Sequence, residues 1–134
     1  MSDDHRTVVV LAGVIERQSR FLLTRRLKNT HLAGYWEFPG GKCETDEDHQ
    51  ACLIRELREE LDVAAVVGDE ILVSEHDYPD RTVRIHFRRC DIVGDPSPQL
   101  GQEMRWVDRT ELATLQFPPA DGELIALLVN QRAL

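Results

Sequence analysis

The chain has no basic excess. Its 16 Lys and Arg face 24 Asp and Glu, giving a formal net charge of −8 and an isoelectric point near 5.0. A general duplex-DNA binder needs a basic face to neutralise phosphates, so polymeric nucleic acid is not the expected partner. A metalloenzyme that holds a polyanion through divalent cations remains compatible with this balance. Long apolar runs are missing too: none approaches the roughly 20 residues of a membrane-spanning helix. The first residues, Met1-Ser2-Asp3-Asp4-His5-Arg6, are polar, and the apolar stretch behind them reads as a strand, not a signal peptide. A cytoplasmic location without membrane attachment is therefore expected. Cysteine is scarce. Cys43, Cys52 and Cys90 are odd in number and show no C-x-x-C spacing, which predicts reduced thiols and neither a disulfide nor a zinc site. With 8 Gly and 6 Pro, disorder and fibrous repeats are also excluded.

What is present suits one domain: 134 residues, of which 42% are apolar, suffice to bury a core. Residues 7–15 are β-branched and almost continuously apolar, as in a strand buried on both faces. Residues 21–24 read as a second strand ending at Arg25-Arg26, and 27–36 as loop. Pro39-Gly40-Gly41 marks a tight turn. A helix is predicted over 46–62, opened by Thr45 and the acidic Asp46, Glu47 and Asp48, with Ala51, Ile54, Leu57 and Leu61 as its core stripe. Strands at 63–67 and 71–74 flank a turn at Gly68-Asp69. A hairpin turn at 78–81 leads into an alternating strand at 82–90. Beyond the loop at 94–98, a short strand (103–107), a short helix (109–114) and an amphipathic helix (121–129) complete a mixed α/β domain covering 1–134.

The chemistry concentrates between Gly41 and Val63. Glu56, Glu59 and Glu60 stand at i, i+3 and i+4, so a helix places them on one face. Like charges at that spacing destabilise an isolated helix by about 0.2–0.5 kcal/mol per pair. Either Arg55 and Arg58 pair them as a solvated acidic face, or the set binds a hard cation that prefers oxygen ligands and bridges to phosphates. The longer pattern weighs for the cation. Gly41, Glu47, Arg55, Glu56, Leu57, Glu59, Glu60 and Val63 reproduce G-x5-E-x7-R-E-U-x-E-E-x-G-U, where U is a bulky aliphatic residue; only the last glycine departs, as Asp62. This is the Nudix box, and the chain is identified as a member of that superfamily. Asp62 falls where a helix commonly ends in a left-handed residue, which Asp tolerates better than most.

The segments Thr24-Arg25-Arg26, Trp36-Glu37-Phe38-Pro39-Gly40-Gly41-Lys42, Asp80-Arg81 and Phe117-Pro118-Pro119-Ala120-Asp121 resemble the MutT branch. The resemblance implies an α/β/α sandwich around a mixed sheet. It also implies Mg²⁺- or Mn²⁺-dependent hydrolysis of nucleoside triphosphates to monophosphate and diphosphate, by a monomer or homodimer. On that resemblance Glu59 and Glu60 hold metal with the carbonyl of Gly40, and Glu56 ligates metal or positions and deprotonates water. Arg55 and Glu47 form a loop-orienting salt bridge beside Gly41. MutT-like enzymes often add a loop carboxylate six residues before a tryptophan. That position is Leu100 here, leaving Glu103 as a replacement ligand, a general base or a surface group. Candidate substrate-binding residues are Arg26, Glu37, Phe38, Asp80 and Asp121. Phe38 packs either on the base or in the core. Asp121, where MutT has Asn, either accepts hydrogen bonds from a base or caps the last helix. The base is left open between oxidised guanine and cytosine.

Overall fold

The computed structural model describes residues 6–131. Two sheets form the centre. In the first, β5 (Gly40–Lys42), β1 (Arg6–Val14), β7 (Arg81–Val93) and β6 (Ala64–Tyr78) lie side by side. β1 and β7 are parallel, and the outer pairings are antiparallel. In the second, β3 (Arg20–Arg25) pairs antiparallel with β2 (Glu16–Arg17), β4 (Trp36–Glu37) and β8 (Met104–Asp108). Alternation along β1 and the residue after it, Ile15, explains the layering. Leu11 and Ile15 join a cluster with Cys52, Leu53, Leu57 and Leu61 of α1 (His49–Leu61), whereas Ala12 and Val14 join one with Leu124 and Leu128 of α2 (Gly122–Asn130). The strand is therefore covered by a helix on each face, and its near-continuous apolar run follows from that. This is the mixed-sheet sandwich expected from the sequence.

Several local expectations are corrected. The long helix starts at His49, capped by Asp48, whose carboxylate accepts from the Ala51 amide at 3.0 Å. Thr45 precedes it in a turn. The helix's core stripe is Cys52, Leu53, Leu57 and Leu61, while Ala51 is exposed and Ile54 half-buried. Asp62 closes the helix in the left-handed region at φ 55°, as the departure from glycine required. Gly68-Asp69 does not turn the chain. Residues 64–78 form one strand with register shifts between Val67 and Leu72. The Gly68 carbonyl there accepts two hydrogen bonds from Arg88, so the glycine marks a bulge.

Gly40-Gly41 is not a turn either. It is a strand pressed against β1, where a Cβ on Gly40 would meet the Leu11 carbonyl and approach Ala12 Cα to 2.8 Å. The thiol expectation also fails for two of the cysteines. Cys43 and Cys52 form a disulfide with Cα atoms 5.4 Å apart, because the loop after β5 folds back onto α1. Cys90 is a free, buried thiol, pushed up to about 11 mainly by burial.

Candidate active site

β5 and α1 build the site together. Strand β5 brings Gly40 and Gly41 beneath the middle of α1, and a Cβ on Gly41 would lie within 2.9 Å of the Glu56 carboxylate atoms. Glycine is thus required by close approach to a side chain, not by a positive φ.

Arg55 organises the neighbouring acids. Its Nε donates to Glu47 at 2.8 Å and its Nη2 to the other Glu47 oxygen at 2.9 Å. Nη1 reaches Glu56 at 3.0 Å and Glu59 at 3.2 Å, and Nη2 also donates to the Lys42 carbonyl at 3.2 Å. This bidentate grip holds the Glu47 carboxyl down at about 2 and raises the guanidinium further. The Glu44 amide donates to Glu47 at 2.9 Å, so the loop backbone is tied through Glu47 to Arg55 of the helix.

Glu60 receives no such cation among its described contacts. Burial pushes its carboxyl up to about 8, with repulsion from Glu56, Glu37 and Glu59 adding and the Gly40 backbone opposing. Glu56 is raised as well, by burial, against the pull of Arg55. Carboxylates that repel one another in a partly dry site, all hard oxygen donors, fit a divalent cation that would restore their ionisation. Glu56, Glu59 and Glu60 are the residues that would hold it, beside Gly40. Glu103 immediately precedes β8, its side chain 62% exposed and paired with Arg25 at 3.2 Å. Leu100 is exposed, and the buried Gln102 occupies the inner side of that loop. Its amide donates to the Glu60 carbonyl at 3.2 Å and accepts from the Leu100 amide at 2.8 Å.

A cavity of about 380 Å³ lies alongside. Arg26, Glu37, Phe38 and Asp121 all line it, and a smaller cavity of about 130 Å³ continues past Arg26 and Glu37 to Glu60. Arg26 forks onto both Glu37 oxygens at 3.1 Å and donates to the His31 carbonyl at 2.6 Å. Burial raises the Glu37 carboxyl despite that partner. Phe38 is both core and wall, stacked on Phe117 at 5.8 Å and edge-on to Phe87 at 6.1 Å.

Asp121 precedes α2 but makes no side-chain capping bond. It is 4% exposed, and burial plus the charge of Glu37 pushes its carboxyl up to about 7, with Arg26 opposing. Ser74 donates to the Ala120 carbonyl at 2.7 Å and so ties β6 to that turn. Asp80 sits on the hairpin turn, 74% exposed and paired with Arg81, and it is Arg81 that lines the cavity. His31, His76 and Tyr78 also line it and were not anticipated. Residues 74, 76 and 78 share one strand face by the period of two, a signal that appears only once the strand is known to run on to Tyr78.

Taken together, the sandwich, the loop–helix carrying three carboxylates and the adjoining cavity define a hydrolase of phosphoanhydrides. A model of the NUDIX domain matches residues 10–127, and the chain belongs to the Nudix hydrolase family. Within it, the relatives are of the MutT type. The chain is 33% identical to the CTP pyrophosphohydrolase of Escherichia coli over 129 residues, 96% of each chain. It is 34% identical to the 8-oxo-dGTP diphosphatase of Haemophilus influenzae over 130 residues, again 96% of each. Among solved structures, the E. coli ORF135 protein superposes with a TM-score of 0.79 at 35% identity, covering 92% of this chain and 86% of that one. A MutT protein from Methanosarcina mazei shares the fold at a TM-score of 0.84 and 23% identity, covering 95% and 96%.

Proposed function

We propose that this chain is a divalent-cation-dependent nucleoside triphosphate pyrophosphohydrolase, cleaving NTP or dNTP with water to the monophosphate and diphosphate. Its expected role is nucleotide-pool sanitisation of the 8-oxo-dGTP kind. One observation carries the proposal: the base-sized cavity and the carboxylate face of α1 adjoin through the Arg26–Glu37 pair. A nucleotide whose base enters past Phe38 towards Asp121 would direct its phosphates to Glu60. Mg²⁺ or Mn²⁺, when bound, supplies charge neutralisation for the triphosphate and acidifies water. Glu56, Glu59 and Glu60 provide its oxygen ligands. Glu56, held by Arg55 and braced by Gly41, also positions water for attack at the β-phosphorus and accepts its proton. Glu47 acts only through Arg55, as a positioning residue.

Asp121 supports a second reading. As a carboxylate it accepts hydrogen bonds and suits a base edge that offers donors, such as the cytosine amino group. The CTP pyrophosphohydrolase relative favours (d)CTP or 5-methyl-dCTP on the same grounds. A kcat/KM panel over normal, oxidised and methylated triphosphates with Mg²⁺, with products separated chromatographically, decides between these. If no nucleoside diphosphate derivative is turned over with Mg²⁺ or Mn²⁺, the chain is a non-catalytic nucleotide-binding module instead.

A further inference from the structure

The disulfide and the contact between Gly41 and Glu56 are adjacent rungs joining β5 to α1. Gly41 and Cys43 are two residues apart, so in extended chain they face the same side and lie about 6.6 Å apart. Cys52 and Glu56 are one helical turn apart, about 6 Å along the axis. The spacings match, and Cys43 keeps the strand's course by donating its amide to Val9 at 3.0 Å. The bond between Cys43 and Cys52 therefore fixes the height of β5 on α1 one turn before the place where Gly41 meets the Glu56 carboxylate. The two cysteines differ in access. Cys52 has no exposed surface, while Cys43 is partly exposed on the wall of a cleft of about 620 Å³ between the start of β1 and the 42–47 loop.

We propose that Cys43–Cys52 is a redox-exchange site, opened by dithiol reductants and closed by peroxides, whose state sets the position of the Glu56 carboxylate and hence the turnover of the enzyme. In opening, a reductant thiolate attacks Cys43 Sγ through the cleft, the S–S bond breaks, and Cys52 leaves as thiolate and takes a proton. The reductant's second thiol then displaces Cys43 as thiol and closes the reductant's own disulfide, so two electrons have passed to the protein. In closing, the Cys43 thiolate attacks the peroxide O–O bond, giving a sulfenic acid and one water. Cys52 attacks that sulfur and expels a second water, reducing one peroxide to two waters while two thiols become one disulfide. Peroxides also oxidise nucleotides, so the clamped form would prevail when oxidised substrates accumulate.

The link to turnover rests on the proposed function above; the bond itself does not. The test uses the full chain, oxidised with hydrogen peroxide or reduced with dithiothreitol. Thiols are titrated in denaturant, melting is followed, and kcat and KM are measured with Mg²⁺ on dCTP and 8-oxo-dGTP. The oxidised protein should show only Cys90, and the reduced protein all three thiols of the sequence. Reduction should lower the melting temperature by about 5–10 °C and kcat by about tenfold with KM little changed. Cys43→Ser should behave as the reduced protein under both conditions, and the parent comparison stands without it if the variant misfolds. Three titratable thiols after peroxide, or melting indifferent to reduction, overturns the site. A clamped and an open form of equal kcat overturns its control of Glu56. Absence of turnover in both forms counts against the proposed function alone, and the exchange site is then decided by thiol titre and melting.

Discussion

Replacing Gly41 with alanine tests the site through a single methyl group. The new Cβ would stand 2.5 Å from Cδ and 2.9 Å from Oε1 of Glu56, where ordinary contact is 3.4–4 Å. The carboxylate must therefore retreat by about 1 Å, a displacement that costs on the order of 10²-fold in rate when it shifts a catalytic group. Folding should tolerate it, because the obstacle is the far end of a flexible side chain and an off-rotamer χ costs about 0.5–1.5 kcal/mol. Gly41→Ala should then lose about 10²-fold in kcat on the preferred triphosphate with Mg²⁺ while its melting temperature stays within a few degrees of the parent. Gly40→Ala is the contrasting variant, since its Cβ meets the backbone of Leu11 and Ala12. The strand cannot give way there, and stability should fall first. A further check combines Gly41→Ala with Glu56→Ala: once the carboxylate is gone, the methyl group should add no further loss. Near-parental kcat for Gly41→Ala, or full additivity in the double variant, would refute the role given to this contact.

Glu60→Gln should lower turnover by orders of magnitude with the fold intact, and a near-normal rate would remove Glu60 from the metal site. Its folded carboxyl, at about 8, holds a proton that an unfolded carboxyl loses above its ordinary range. The metal-free protein should therefore lose stability as pH rises from about 5 to about 8, and either Glu60→Gln or added Mg²⁺ should flatten that slope in melting curves. Asp121, at about 7, should change from donor to acceptor across neutrality, so base preference in kcat/KM should shift between pH 6 and 8 in the parent and not in Asp121→Asn. An unchanged preference in both would leave Asp121 outside base recognition. Glu47→Gln should reduce kcat by about 10–100-fold with little change in KM, because it releases Arg55 and not a ligand; a rise in KM alone would contradict this.

The carboxylate helix was legible in the sequence because covalent spacing fixes it. Glu56, Glu59 and Glu60 fall on one face of any α-helix, whatever surrounds them. The face of α1 that is buried was less legible. Ala51 and Ile54 fit the helical period as well as Cys52 and Leu53 do, and only the apolar sheet surface against which the helix packs chooses between them. Gly68-Asp69 shows the same limit, since a turn and a bulge share residue preferences and differ in whether β7 continues alongside. The Cys43–Cys52 pair is hidden in the sequence for a related reason. Cysteine spacing along the chain says nothing about a loop that returns onto its own helix. Likewise, Arg81 and Tyr78 reach the cavity through strand pairing, whereas Asp80, between them in sequence, is turned away by the hairpin.

The acidity of the chain is arranged as well as abundant. Arg55 neutralises Glu47 and shares its charge with Glu56 and Glu59, and Arg26 neutralises Glu37. These arginines are already spoken for, so neither offers a free charge to an arriving polyphosphate. Among the described residues Glu60 and Asp121 have no ion pair of their own, and Glu37, although held by Arg26, raises both of them. An ionised Glu37 raises both, so the base cavity and the carboxylate helix are coupled through it. A divalent cation at Glu60 would favour ionisation there and at Glu37, and an ionised Glu37 would in turn favour the protonated form of Asp121. Metal binding and base recognition should thus be linked in this fold, and the link runs through a residue that need not touch the metal.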